Sequence, residues 1–106
     1  MKEYIINVGC NDPRYHKQIL PSFMIRRKII KIISKHFDGF TLTSATGFYK
    51  GEKENSFIVY IYGDNTIRET VTKCAEELRK DMHQEAVIVS AKYIRSNMIE
   101  EGDKNQ

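Results

Sequence analysis

The stretch FTLTSATGFYKGEKENSFIVYIY, residues 40–62, decides how this chain folds. It reads as two strands joined by a short charged turn around Glu52, Lys53 and Glu54. In the first strand, Phe40, Leu42 and Phe48 alternate with Thr41, Thr43 and Tyr49. In the second, Phe57, Val59 and Ile61 alternate with Ile58, Tyr60 and Tyr62. Both faces of the second strand are therefore apolar or aromatic, as in a central strand whose second face is also covered.

A helix-plus-strand arm lies on either side of this hairpin. Upstream, residues 3–10 alternate as a strand, with Tyr4, Ile6 and Val8 on one face. Gly9 and Asn11-Asp12-Pro13 end that strand, and residues 11–20 read as a long loop. Pro21-Ser22 opens a helix running to about His36. Its apolar half holds Phe23, Ile25, Ile29, Ile30, Ile32, Ile33 and Phe37, with Arg26 and His36 as polar residues inside that arc. Gly39 suits a left-handed helix stop. Downstream, Thr66 and Glu69 fit a capping box. Ile67, Val71, Cys74, Ala75, Leu78 and Met82 then form a single helical stripe. His83-Gln84-Glu85 is a tight link to a last strand over 86–94.

The order strand, helix, strand, strand, helix, strand predicts an α+β, ferredoxin-like βαββαβ domain over residues 1–95. The expected sheet is antiparallel, in the order 4-1-3-2, with both helices on one face. A polar tail follows at 96–106. The open face would present Ile58, Tyr60, Tyr62 and Ile88, a patch suited to covering by a second copy in a homodimer or higher oligomer.

Composition narrows the class. The chain has 106 residues, 29% charged and 41% hydrophobic, which is room for one core in an ordinary globular composition. No apolar run is long enough for a membrane span, and MKEYIINV reads as a first strand, not a signal peptide. Cys10 and Cys74 stand far apart with no C-x-x-C pair, so reduced thiols in a cytoplasmic setting are expected. The net charge of +3 is a weak pointer to an anionic partner.

The topology gathers three connections at one sheet end: loop 11–20, the hairpin turn and the link 83–85. Arg14, His16, Arg26, Tyr49, Lys50, Glu54 and Gln84 are the candidate ligand-binding residues there, a mixture suited to holding a polar ligand or to acid–base work. No H-x-x-E or H-E-x-x-H spacing marks a metal site, and no cofactor motif, P-loop, G-x-G-x-x-G or nucleophile elbow occurs. The element order matches the RNA-recognition motif, but its aromatic signature octamer is missing, so nucleic acid is not the expected partner.

Four short motifs carry a resemblance: F-D-G-F-T (37–41), G-F-Y-K-G (47–51), E-N-S (54–56) and Q-E-A-V (84–87). Over residues 37–89 the chain resembles a group of small uncharacterised bacterial and phage proteins with a ferredoxin-like fold and a G-x-T, G-x-Y/W, E-x-S, Q-x-x-V skeleton. The resemblance singles out Thr41, Gly47, Tyr49, Glu54, Ser56 and Gln84. It implies a phage or prophage accessory protein, and some of this kind counter host defence by sequestering or cleaving nucleotide signals or by blocking an effector.

The leading expectation is a non-catalytic protein of the host cytoplasm that sequesters an anionic, nucleotide-like ligand. Arg14, Arg26 and Lys50 would meet phosphates. Tyr49 or Tyr15 would stack a base, and Glu54 and Gln84 would read polar edges. Three alternatives stay open: a small nucleotide-hydrolysing enzyme using His16 or His83 with Glu54, a protein that inhibits a host effector by surface contact, and an RNA-binding module.

Overall fold

A computed structural model describes residues 1–95 together with 99 and 100. The tail read at 96–106 lies, those two residues apart, outside the described residues. The chain runs through β1 (Lys2–Gly9), β2 (Asn11–Asp12), β3 (Lys17–Gln18), α1 (Ser22–Ser34), β4 (Thr41–Tyr49), β5 (Glu52–Gly63), α2 (Arg68–Asp81) and β6 (Ile88–Tyr93). One four-stranded antiparallel sheet has the order β4-β5-β1-β6, and β2 and β3 pair separately as a small ribbon. Setting the ribbon aside, the long strands lie in the order second, third, first, fourth.

The alternation in β1 and β5 sends Tyr4, Ile6, Val8, Phe57, Val59 and Ile61 to one face, where all six are buried. Both helices cover that face. α1 contributes Ile25, Ile29, Ile32 and Ile33, and α2 contributes Val71, Cys74, Ala75 and Leu78. Each set follows the i, i+4, i+7 spacing that places residues on one helical stripe. Burying each aliphatic side chain is worth about 1.5–3 kcal/mol, so this layer is the main source of stability. The Tyr4 hydroxyl inside it donates to the Asp64 carbonyl at 2.8 Å, which satisfies its polar end. The helices are also linked at the surface by Lys28–Asp81 at 3.1 Å and by Lys35–Glu77. Exposed pairs of this kind add less than about 1 kcal/mol each.

The structure departs from the sequence reading at several turns. The hairpin turn lies at Lys50-Gly51, not at Glu52–Glu54: Tyr49 pairs with Glu52, and φ is 50° at Lys50 and 79° at Gly51. Two consecutive left-handed residues make the two-residue turn whose twist matches the strands it joins. Glu54 is therefore a strand residue, opposite Gly47. Residues 11–20 are not a plain loop, since β2 and β3 lie within them. Phe23 is 63% exposed because it precedes the first residue of α1 that meets the sheet, Ile25. Gly39 is not left-handed; α1 closes instead with the Lys35, His36 and Phe37 amides donating to Ile32 and Ile33 carbonyls. Thr66 and Glu69 do not form a capping box: Asp64 caps a 3-10 turn at Asn65–Ile67, its carboxylate accepting from the Thr66 amide at 2.9 Å, and α2 continues from that turn at Ile67 with no side-chain cap of its own. Among the described residues, no helix is long and apolar enough to cross a membrane.

Candidate functional site

The helix-free face of the sheet carries a cleft of about 290 Å³. Its floor is the ends of four strands. Asn7 and Gly9 come from β1, Gly47 from β4, Glu54 and Ser56 from β5, and Ile88 from β6. The rim comes from the ribbon (Asn11, Pro13, His16), the hairpin turn (Lys50) and the link after α2 (Gln84, Glu85). These gather because β1 and β4 end, and β5 and β6 begin, at the same edge.

Glu54 is the best-defined polar group. Its side chain extends from β5 across β1, and a Cβ built on Gly9 would fall 2.5–2.6 Å from its carboxylate atoms. Gly9 is thus the space into which the carboxylate fits. The Asn11 backbone amide donates to Glu54 Oε2 at 2.8 Å. The carbonyl of the same Asn11 accepts from Gln84 Nε2 at 2.6 Å. Gln84 therefore holds Asn11, and Asn11 holds Glu54. The ribbon is further fixed by the Cys10 amide donating to the Asn55 carbonyl at 2.9 Å and by Asn55 Nδ2 donating to Gln18 Oε1 at 2.9 Å.

Gln84 is delivered by the end of α2. The His83 amide donates to the Lys80 carbonyl, and the Gln84 amide to the Arg79 carbonyl at 2.9 Å. This is a Schellman ending with His83, at φ 55°, in the position glycine favours. His16 has φ 55° as well. With Lys50, three residues other than glycine at this one edge are left-handed, at about 1–2 kcal/mol each.

Of the seven residues proposed from sequence, the structure places His16, Lys50, Glu54 and Gln84 around the cleft; Arg14 and Arg26 do not line it, and the Tyr49 side chain lies outside what the structure describes. Arg14 grips Asp12 with Nε at 3.0 Å from Oδ1 and Nη2 at 2.7 Å from Oδ2. That hydrogen-bonded guanidinium holds the Asp12 carboxyl down at about 2. Arg26 lies exposed on α1, in the layer beneath the other face of the sheet. Lys50 Nζ is 4.0 Å from Glu85 Oε2. Among the described residues, the cleft is lined by three carboxylates, Glu52, Glu54 and Glu85, against one lysine.

Sequence reasoning missed Gly9, Asn11 and Asp12. A glycine at a strand end and the Asn-Asp-Pro-Arg run were the available signals for a close approach and an Asx turn. Neither thiol is poised as a nucleophile: burial pushes both Cys10 and Cys74 up to about 11, helped at Cys10 by the nearby Glu54. Among the described residues, no three His, Cys, Asp or Glu side chains converge to hold a metal ion.

No protein-family model and no curated protein matches this chain. Solved structures do. A phage SAM lyase in complex with S-methyl-5'-thioadenosine is similar with TM-score 0.66 and 22% identity, over 86% of this chain and 79% of that one. A phage SAM lyase in the apo state matches at TM-score 0.65 and 25% identity, over 86% and 78%. A DUF3240 family protein from Shewanella baltica OS155 matches at TM-score 0.58 and 13% identity, over 92% and 94%. Phage proteins thus stand among the structural neighbours of this mixed α+β fold.

Proposed function

We propose that this is a phage-type accessory protein whose cleft binds S-adenosylmethionine and removes it from the host pool by lyase cleavage to S-methyl-5'-thioadenosine. The likeness to the phage SAM lyases supports the ligand class. The cleft volume, near the lower end for small-molecule sites, suits a nucleoside-sized ligand. We read the fold as a ferredoxin-like plan with the β2–β3 ribbon inserted after the first strand.

The observation that carries this reading is the Glu54 carboxylate in the cleft. Its hydrogen-bond donor is a backbone amide, not a basic side chain, so its charge remains available to a cation. With Glu52 and Glu85 nearby, the lining favours a positively charged ligand over the phosphate-bearing one expected from sequence. S-adenosylmethionine carries both a sulfonium and an ammonium group.

A lyase brings in neither water nor an external nucleophile. The ligand's own carboxylate oxygen bonds to the carbon that leaves sulfur, closing the amino-acid arm into a lactone; the carbon–sulfur bond breaks, sulfur keeps the electron pair, and its positive charge is lost. What the protein contributes is position and exclusion of water. A second reading is retention without turnover. It follows from the same carboxylate: a fixed negative charge beside sulfur stabilises the charged substrate more than a transition state in which that charge fades.

The test is to incubate the protein with S-adenosylmethionine and follow S-methyl-5'-thioadenosine by chromatography, with calorimetry alongside. Product formation, reduced about a hundredfold by Glu54→Gln, is expected. Binding without product selects retention, and no binding of either compound overturns both readings. We infer further that a second copy covers the apolar part of the same face, at Ile58, Tyr60, Tyr62 and Ile88; a monomeric sedimentation coefficient would contradict this.

A further inference from the structure

Two glycines border Glu54 on the open face, and only one of them is needed to seat its carboxylate. Gly9 makes room for the Glu54 carboxylate, as the 2.5 Å approach shows. Gly47 makes room for nothing among the described residues. It sits inside β4, opposite Glu54. Its φ is not in the left-handed region, where Gly51 is the glycine found. A Cβ built there would meet the Glu54 carbonyl oxygen at 3.7 Å and Ser56 Oγ at 4.0 Å, which are ordinary contacts. A glycine weakens a strand interior, and where backbone geometry and packing do not require it, close approach by another molecule is the remaining physical reason. Gly47 lines the cleft.

From this we propose that Gly47 is the specificity-determining floor of a subsite for a flat heteroaromatic ring, the adenine end of the ligand. This rests on the nucleoside reading above and assigns the ligand's direction within the cleft. The neighbouring Phe48 also borders the cleft, but its register opposite Lys53 puts it on the other face of β4, so the floor at position 47 is bare backbone. The carboxylate of Glu54 belongs to the adjacent strand, one step of about 4.8 Å away. The cleft reaches on across β1 to Ile88 on β6, about 14 Å from β4 by three such steps. An extended nucleoside with an amino-acid arm therefore lies across the strands, with its ring over Gly47 and its cationic part toward Glu54 and the β6 edge. A methyl group at position 47 would stand where the ring rests.

The experiment compares wild type with Gly47→Ala. The melting temperature is expected to stay level or rise, since the site accepts a Cβ. The affinity for S-methyl-5'-thioadenosine by calorimetry is expected to fall tenfold or more. Unchanged affinity in Gly47→Ala overturns the assignment, as does a loss of affinity accompanied by an equal loss in Gly47→Ala of urea resistance. Adenine alone separates this inference from the parent reading. If the wild type binds neither S-adenosylmethionine nor its product, adenine is titrated while the backbone amide resonances are followed. Shifts at residues 46–48 that vanish in Gly47→Ala support the ring subsite, and their absence in wild type refutes it.

Discussion

On the face of the sheet turned toward the helices, Tyr4, Ile6, Val8, Phe57, Val59 and Ile61 are each 5% exposed or less. One residue along in the same two strands, the opposite face holds Ile5, Asn7 and Gly9 beside Ser56, Ile58 and Tyr60. The first set is uniform and interlocked. The second mixes apolar, polar and absent side chains, and its hydrogen bonds run to the ribbon and the end of α2. The contrast separates two jobs within one layer. The covered face supplies the free energy of folding, and the open face uses that rigidity to hold a carboxylate and two bare stretches of backbone in fixed relation.

Substitution should expose this division. The largest effect is expected from Ile6→Ala, which leaves a cavity in the covered face and should cost about 2–5 kcal/mol by urea unfolding. Ser90→Ala, at an exposed position on the open face opposite Ile5, should stay within about 0.5 kcal/mol. Equal losses would erase the distinction.

Gly9→Ala should come next, and on the other side of the comparison. The atoms in its way are the far end of the flexible Glu54 side chain, so the fold can yield. Stability should change little, while ligand affinity falls about tenfold, or about 1.4 kcal/mol, because Glu54 is displaced from the Asn11 amide. Retained affinity would show that Glu54 is not the anchor.

The ribbon beside the cleft has its own pH signature. Asp12 is held at about 2 when folded, against about 3.9 in an unfolded chain. Its contribution to stability is therefore complete above the unfolded value and is lost as pH falls from about 4 toward 2. Melting curves over that window should flatten in Asp12→Asn. A slope unchanged by the substitution would remove the Arg14 grip from the account of the ribbon.

The smallest effect is a gain. His83 occupies a left-handed helix ending that glycine adopts without strain. His83→Gly should stabilise the protein by about 0.5–1 kcal/mol in urea titration and leave Gln84 in place. A loss would mean that the imidazole itself supports the rim.

Much of the frame was legible before any coordinates. Alternation in residues 4–8 and 57–61, and the stripe from Val71 to Met82, report which side of each element is buried, because burial repeats with the period of the element. Their order brings loop 11–20, the hairpin end and the link after α2 to one edge, and Glu54 and Gln84 were singled out on that basis. Less local features escaped. The turn at Lys50-Gly51 depends on a lysine accepting a left-handed conformation, which its side chain does not advertise. Placing the turn correctly turns Glu54 from a turn residue into one with a defined sheet face. Arg14 looked available to a ligand because its partner Asp12 was read as part of a chain break.

By itself, then, the sequence determined the covered face, through periodic apolar residues that water drives to one side of each element. Only the tertiary structure decided the open one. The Asn11–Glu54 and Gln84–Asn11 hydrogen bonds join residues 43 and 73 positions apart, and two of their four bonding groups belong to the backbone. Every residue carries those backbone groups alike, so their directions become specific only when strands from distant parts of the chain lie side by side.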